Sequence, residues 1–148
     1  MRAATLGAQA AGKYVQTITY HPGKTKIHYE GTDLENTSDD EVITLDYFDR
    51  TKVMLQTTDV HIVFKGSIGT LSEFGMTWVS SWIHEPDSKP IILYGEFWNE
   101  ILQVLTKNLH IVNHETDLFK VISTPQEVVE YLDKLGFTDK NNGNSLLH

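Results

Sequence analysis

Residues Asp59 to Phe74, DVHIVFKGSIGTLSEF, join a short apolar run to a small-residue turn and then to a helical pattern. A buried strand that stops at Lys65-Gly66-Ser67-Ile68-Gly69 and enters a helix at once is half of a strand–helix–strand crossover. The N-terminus of such a helix has backbone N–H groups without intrahelical acceptors and sits at the positive end of the helix dipole, so the turn is suited to an anion. Glu73 lies one turn inside the predicted helix, within reach of a sugar whose phosphate the turn holds. The layout suits a nucleotide or a sugar phosphate.

The rest of the chain repeats this order. An alanine-rich helix is predicted over residues 2–12, stopping near Gly12. The β-branched and aromatic run Tyr14–Tyr20 is a strand, broken by His21-Pro22-Gly23. Residues 21–40 form a polar connection containing the acidic run Glu35–Glu41, and Asp39-Asp40-Glu41 reads as solvated charge or, more weakly, as a magnesium site. Leu45–Thr57 is an amphipathic helix, His61–Phe64 a strand, and about Thr70–Ile83 a helix. Lys89–Tyr94 is a buried strand ended by Gly95, Phe97–Asn108 a helix, and Leu118–Ile122 a short strand. The last helix starts with Thr124 as N-cap, Pro125 at the first position and Glu127 closing a capping box, and it runs to about Leu135.

Strands thus alternate with helices four times. The expected fold is α/β, a doubly wound, mainly parallel sheet of about four strands with helices on both faces. One domain is expected over residues 1–135, with a polar tail at 136–148. In this class ligands sit at the carboxyl ends of the strands, where residues 65–73 fall.

Composition narrows the partners. The 148 residues suffice for one domain with a core, and 40% are hydrophobic. The formal charge of −8 disfavours a nucleic acid polymer or an anionic membrane as partner, while local donors can still hold a single nucleotide. The chain has no cysteine, which removes disulfides, thiolate catalysis and cysteine zinc sites and fits a reducing, cytoplasmic setting. No apolar stretch approaches the roughly 20 residues that span a bilayer, and Met1–Gly7 has no signal-peptide core. His61 lies in a strand and reads as a packed histidine. His84, His110 and His114 lack metal spacing, so no metal is expected. Trp78 and Trp82, at i and i+4, read as a core or dimer stripe.

The turn and its surroundings resemble the LONELY GUY (LOG) family, Rossmann-like proteins whose signature is Pro-Gly-Gly-x-Gly-Thr-x-x-Glu, preceded about a helix-length earlier by Arg-Lys-x-x-Met. Gly66, Gly69, Thr70 and Glu73 stand at matching positions, as do Arg50 and Met54. Downstream, Lys89-Pro90-Ile91-Ile92-Leu93 and Gly95-x-Phe97-Trp98 are similar to the family's next strand and helix start. Upstream, Met1, Ala3, Gly7, Ala8 and Gly12 resemble the helix after its second strand. The likeness spans residues 1 to about 135. The departures are Lys65 for the proline, Ser67 for the second glycine and Thr51 for the lysine after the arginine. Lys65 would add a cation at the turn, and Ser67 would restrict a backbone that glycine leaves free. The family begins with a strand, a helix and a second strand ending in a glycine-rich loop. By this resemblance the chain corresponds to the C-terminal two thirds of the fold, and the part of the nucleotide site that the family's glycine-rich loop supplies is expected either on a preceding segment or on another polypeptide.

The resemblance implies cleavage of the N-glycosidic bond of a nucleoside 5′-monophosphate, giving free base and ribose 5-phosphate, without a cofactor. It also implies a homodimer. Glu73 would stabilise the oxocarbenium-like transition state and orient water; otherwise it is a first-turn acid that favours the helix dipole. Arg50 would pair with the phosphate or the departing base, or else form a surface ion pair with Asp46 or Asp49. Lys65, Gly66, Ser67, Ile68, Gly69 and Thr70 would hold the phosphate, with Thr70 acting also, or only, as an N-cap. Related branches are described only as nucleotide-binding, so a sensor or carrier without turnover is the alternative.

Overall fold

The computed structural model describes residues 2–21 and 35–137. Residues 22–34 of the polar connection, and the expected tail from residue 138 onward, lie outside the described residues. The chain divides into two compact units, one up to Thr58 and one from Asp59.

In the first unit, helix α1 (Arg2–Ala10) stops where Gly12 takes a left-handed conformation, φ 68°. Strand β1 (Gln16–Thr19) pairs in parallel with β2 (Asp40–Ile43), Gln16 opposite Asp40 and Thr19 opposite Ile43. Helix α2 (Tyr47–Thr57) follows, with Asp46 as N-cap accepting from the Asp49 N–H at 2.8 Å.

Strand β2 is a correction to the sequence reading, which placed residues 21–40 in a connection and Asp39-Asp40-Glu41 in solvent. The carboxylates do stay exposed, but they find donors across the strand pair. Asp39 accepts from the Val15 N–H at 2.7 Å, Asp40 from the Gln16 amide at 2.8 Å and Glu41 from the Thr19 hydroxyl at 2.7 Å. The Thr19 bond, with a smaller contribution from His21, holds the Glu41 carboxyl below its ordinary range. Charge in these residues therefore did not signal a loop, and the described strands number five rather than four.

The second unit is an unbroken series of crossovers: β3 (His61–Val63), α3 (Ile68–Ile83), β4 (Ile91–Tyr94), α4 (Phe97–Asn108), a 3-10 turn (Asn113–Leu118), β5 (Phe119–Ile122) and α5 (Pro125–Lys134). The strands lie in the order β3-β4-β5, all parallel. The register aligns Val63, Leu93 and Val121 in one row and Ile91 with Phe119 in the next. These side chains pack against Phe74 and Trp78 of α3 and Trp98, Ile101 and Leu102 of α4. Ile92 points to the opposite face and is also fully buried, so the central strand is covered on both sides, as the doubly wound α/β class requires.

Aromatic packing locks α3 onto this sheet. The Phe74 ring lies 5.3 Å from Trp78 and 5.1 Å from Trp98, and Trp78 meets the edge of Phe119 at 5.0 Å. The Trp78 indole donates to the Glu115 carbonyl at 2.7 Å, tying the 3-10 turn to the helix. The expected Trp78/Trp82 stripe splits: Trp78 joins the core, whereas Trp82 stays 47% exposed. The i, i+4 pair on the core side is Phe74, fully buried, with Trp78, partly buried.

Because the strands are parallel and in register, α3, α4 and α5 all start at the same edge of the sheet. The α5 start is as predicted: Thr124 accepts from the Glu127 N–H, and the Glu127 carboxylate returns to the Thr124 N–H at 3.1 Å. Replacing Thr124 with alanine removes that cap and is expected to cost about 1 kcal/mol, read as a lower denaturant midpoint at constant slope.

His61 is half-buried in β3, and its pKa is pushed below the ordinary 6.5 first by burial and then by the Lys89 cation. The folded state therefore prefers the neutral ring. Its contribution to stability is complete above 6.5 and is lost as pH falls through the lower folded-state value. A His61→Gln variant should lose less stability than the unsubstituted chain between about pH 7.5 and pH 5, as measured by chemical denaturation at each pH.

Candidate nucleotide site at the turn between β3 and α3

Helix α3 begins at Ile68, two residues before the start the sequence suggested, and its N-cap is Ser67. Thr70 is therefore not the cap, which corrects the alternative role given to it. A serine just ahead of an apolar helical run is the sequence signal for this cap. The Ser67 hydroxyl makes no capping bond. The first bond of the helix joins the Leu71 N–H to the Ser67 carbonyl at 3.2 Å. Ile68, Gly69 and Thr70 occupy the three positions ahead of it, at the positive end of the helix dipole.

Gly66 is required by packing. A Cβ placed there would lie 2.0 Å from the Thr70 hydroxyl oxygen and 2.8 Å from its Cβ. The Thr70 side chain thus folds back over residue 66 and fixes the path of the turn into the helix. Ser67 behaves differently from the expectation. Its backbone is extended, with φ −93° and ψ −164°, so a serine fits where the family motif has glycine, without strain.

The three helix starts on this edge differ in charge. The first turn of α4 contains Glu100 and that of α5 contains Glu127, whereas α3 has no acid in its first turn. Glu73 lies in the second turn of α3 and is half-buried, which corrects its description as a first-turn acid. Its carbonyl accepts from the Thr77 hydroxyl at 2.8 Å. Lys65 adds a cation ahead of the α3 start, its Nζ 5.6 Å from the centre of the Phe97 ring at the start of α4. Gly95, at φ 114°, lets the chain turn beneath that ring, since a Cβ there would approach it to 2.6 Å. The contact between Phe97 and Lys65 was not legible in the sequence, because it joins two different crossovers. The structure thus brings Lys65, Gly66, Ser67, Ile68, Gly69 and Thr70 together as one turn and places Glu73 on the helix that the turn begins.

Arg50 belongs to the first unit, on α2. Its Nε donates to the Ile18 carbonyl of β1 at 3.1 Å, and its guanidinium lies 5.6 Å from the Tyr47 ring centre. The neighbouring carboxylates serve the helix start: Asp46 caps it, and Asp49 accepts from the Leu45 N–H at 3.2 Å. Thr51, which stands where the motif has lysine, is 1% exposed and donates to the Tyr47 carbonyl at 3.3 Å. A lysine at 51 would place an ammonium in this buried position, at a desolvation cost that threonine avoids.

A family described as "possible lysine decarboxylase", the LOG-like group, matches residues 1–132. The chain belongs to this family. A comparison with curated proteins returns no match. As a LOG-like chain it has the α/β fold of parallel strands that the sequence implied. Among the described residues, no helix is long and apolar enough to cross a membrane.

The close approach of Thr70 to residue 66 gives a direct test. Gly66→Ala is expected to destabilise the LOG-like chain by about 1–3 kcal/mol through overpacking, measured as a shift in denaturant midpoint. The same change at Gly75, where an added Cβ meets nothing within 4 Å, should instead stabilise it slightly.

Proposed function

We propose that this chain binds a nucleoside 5′-monophosphate with the phosphate at the turn from Lys65 to Thr70, and that it hydrolyses the N-glycosidic bond. The observation that carries this reading is the start of α3: a 16-residue helix with no acid in its first turn, entered through a tight glycine turn beside Lys65. An anion placed there meets the positive end of the helix dipole with no carboxylate in the first turn of that helix to compete. Membership of the LOG-like family supports the same assignment.

In the proposed reaction the bond between C1′ and the base nitrogen breaks, with its electron pair leaving on the base. Water adds its oxygen to C1′, and its proton ends on the released base. Glu73 orients that water and offsets the positive charge that develops on the sugar. No metal or cofactor enters the scheme.

Binding without turnover is the second reading. It is favoured by the absence of a cation at the buried position 51 and by Lys65 in place of the motif's proline. Incubation with AMP, with chromatographic detection of free adenine, separates the two. For the hydrolase, Glu73→Gln should lower base release by about 10²–10³-fold while ribose 5-phosphate still binds. An unchanged rate in Glu73→Gln removes the hydrolytic role. Binding of AMP with no adenine released establishes the second reading, and failure to bind either AMP or ribose 5-phosphate removes both.

A further inference from the structure

The contact between Lys65 and Phe97 joins two crossovers at the carboxyl edge of the three-stranded sheet, and it follows from the register. Val63 and Leu93 stand opposite each other in β3 and β4. The chain therefore leaves both strands at one level, and Lys65 and Phe97 lie just beyond those ends. Lys65 is exposed, and its Nζ lies 5.6 Å from the centre of the Phe97 ring. Among the described residues it forms no ion pair, although Glu96 and Glu100 stand at the same start of α4. A ring and a carboxylate hold an ammonium differently. The face of a ring attracts the cation through its quadrupole but carries no opposite charge, so the positive charge stays uncompensated.

Phe97 is the fixed member of the pair. It is half-buried and packs against the core cluster of Phe74, Ile91, Leu93 and Trp98, its ring centre 5.3 Å from that of Trp98. Gly95 sets its approach from the other side, and the Gly95 N–H is itself tied to the Ile122 carbonyl of β5 at 2.8 Å. The ring takes the space that a Cβ at 95 would need, its nearest carbon lying 2.6 Å from that position. Lys65 is the adaptable member, since a lysine stem is flexible and loses rotamer freedom when held. A ring fixed by the core thus selects where the cation stands before any ligand arrives, which lowers the cost of binding.

We infer that Phe97 is a positioning residue: it holds the Lys65 ammonium at the turn as an uncompensated cation and so tightens the grip on a phosphate monoester. The inference rests on the reading of the turn as the phosphate site and adds to it a residue from the next crossover. In this role Phe97 acts only through Lys65. The charge balance explains the need. A phosphate monoester carries about 1.5–2 negative charges at neutral pH, whereas a helix start offers roughly half a positive charge. A preplaced ammonium supplies most of the difference.

Calorimetry with ribose 5-phosphate near neutral pH tests this through a double-mutant cycle. Lys65→Met should weaken binding about tenfold. Phe97→Leu keeps an apolar side chain but removes the ring, and should weaken binding about two- to fivefold. Phe97→Tyr keeps the ring and should bind better than Phe97→Leu. In the Lys65→Met background, Phe97→Leu should have no further effect, which a general loosening of the core would not reproduce. An equal loss from Phe97→Leu with and without Lys65 overturns the inference. So does unchanged affinity in Phe97→Leu or in Lys65→Met, or a Phe97→Tyr variant no better than Phe97→Leu; in each case the turn remains a phosphate site without this pair. If the unsubstituted chain binds no ribose 5-phosphate, the reading of the turn fails and the inference fails with it.

Discussion

The second unit depends on the burial of one strand. Ile91, Ile92 and Leu93 of β4 are each 1% exposed or less, so this segment contributes apolar surface to both faces of its sheet. Fully burying such side chains is worth roughly 1.5–3 kcal/mol each. It also leaves the backbone no water to bond with, so β4 must pair on both edges. β3 and β5 supply that pairing, and their parallel direction follows from the helices between them. The placement of three helix starts along one edge is thus a consequence of burying β4, before any residue of the turns is considered.

What distinguishes those helix starts is local charge and local packing. All three have the dipole and the donor groups that any helix start has. Those of α4 and α5 have carboxylates in their own first turns, whereas α3 has none and is entered beside a lysine. Two departures from the family motif also acquire physical explanations. Ser67 is tolerated because its backbone is extended, and Thr51 is favoured because its position is buried. Neither substitution alters the path of the turn, which is fixed by the contact of Thr70 with Gly66.

Helix α3 serves more than one purpose, and its composition records this. Phe74 and Trp78 hold it against the sheet, its first turn lies at the proposed anion site, and Ile68, Val79 and Ile83 on another side are exposed among the described residues.

The sequence alone determined the alternation of strands and helices, the strand–turn–helix at residues 61–83 and the capping box at Thr124, because each is set by residues close in sequence: apolar period, glycine turn, cap chemistry. It did not reveal β2, whose acidic residues are accommodated only because β1 presents an amide and a hydroxyl opposite them. Nor did it give the N-cap at Ser67, the contact of Lys65 with Phe97, or the division of Trp78 and Trp82 between core and surface. Those were decided by tertiary structure, because burial and hydrogen-bond partners depend on which segments meet in space, and spacing along one segment does not encode its neighbours.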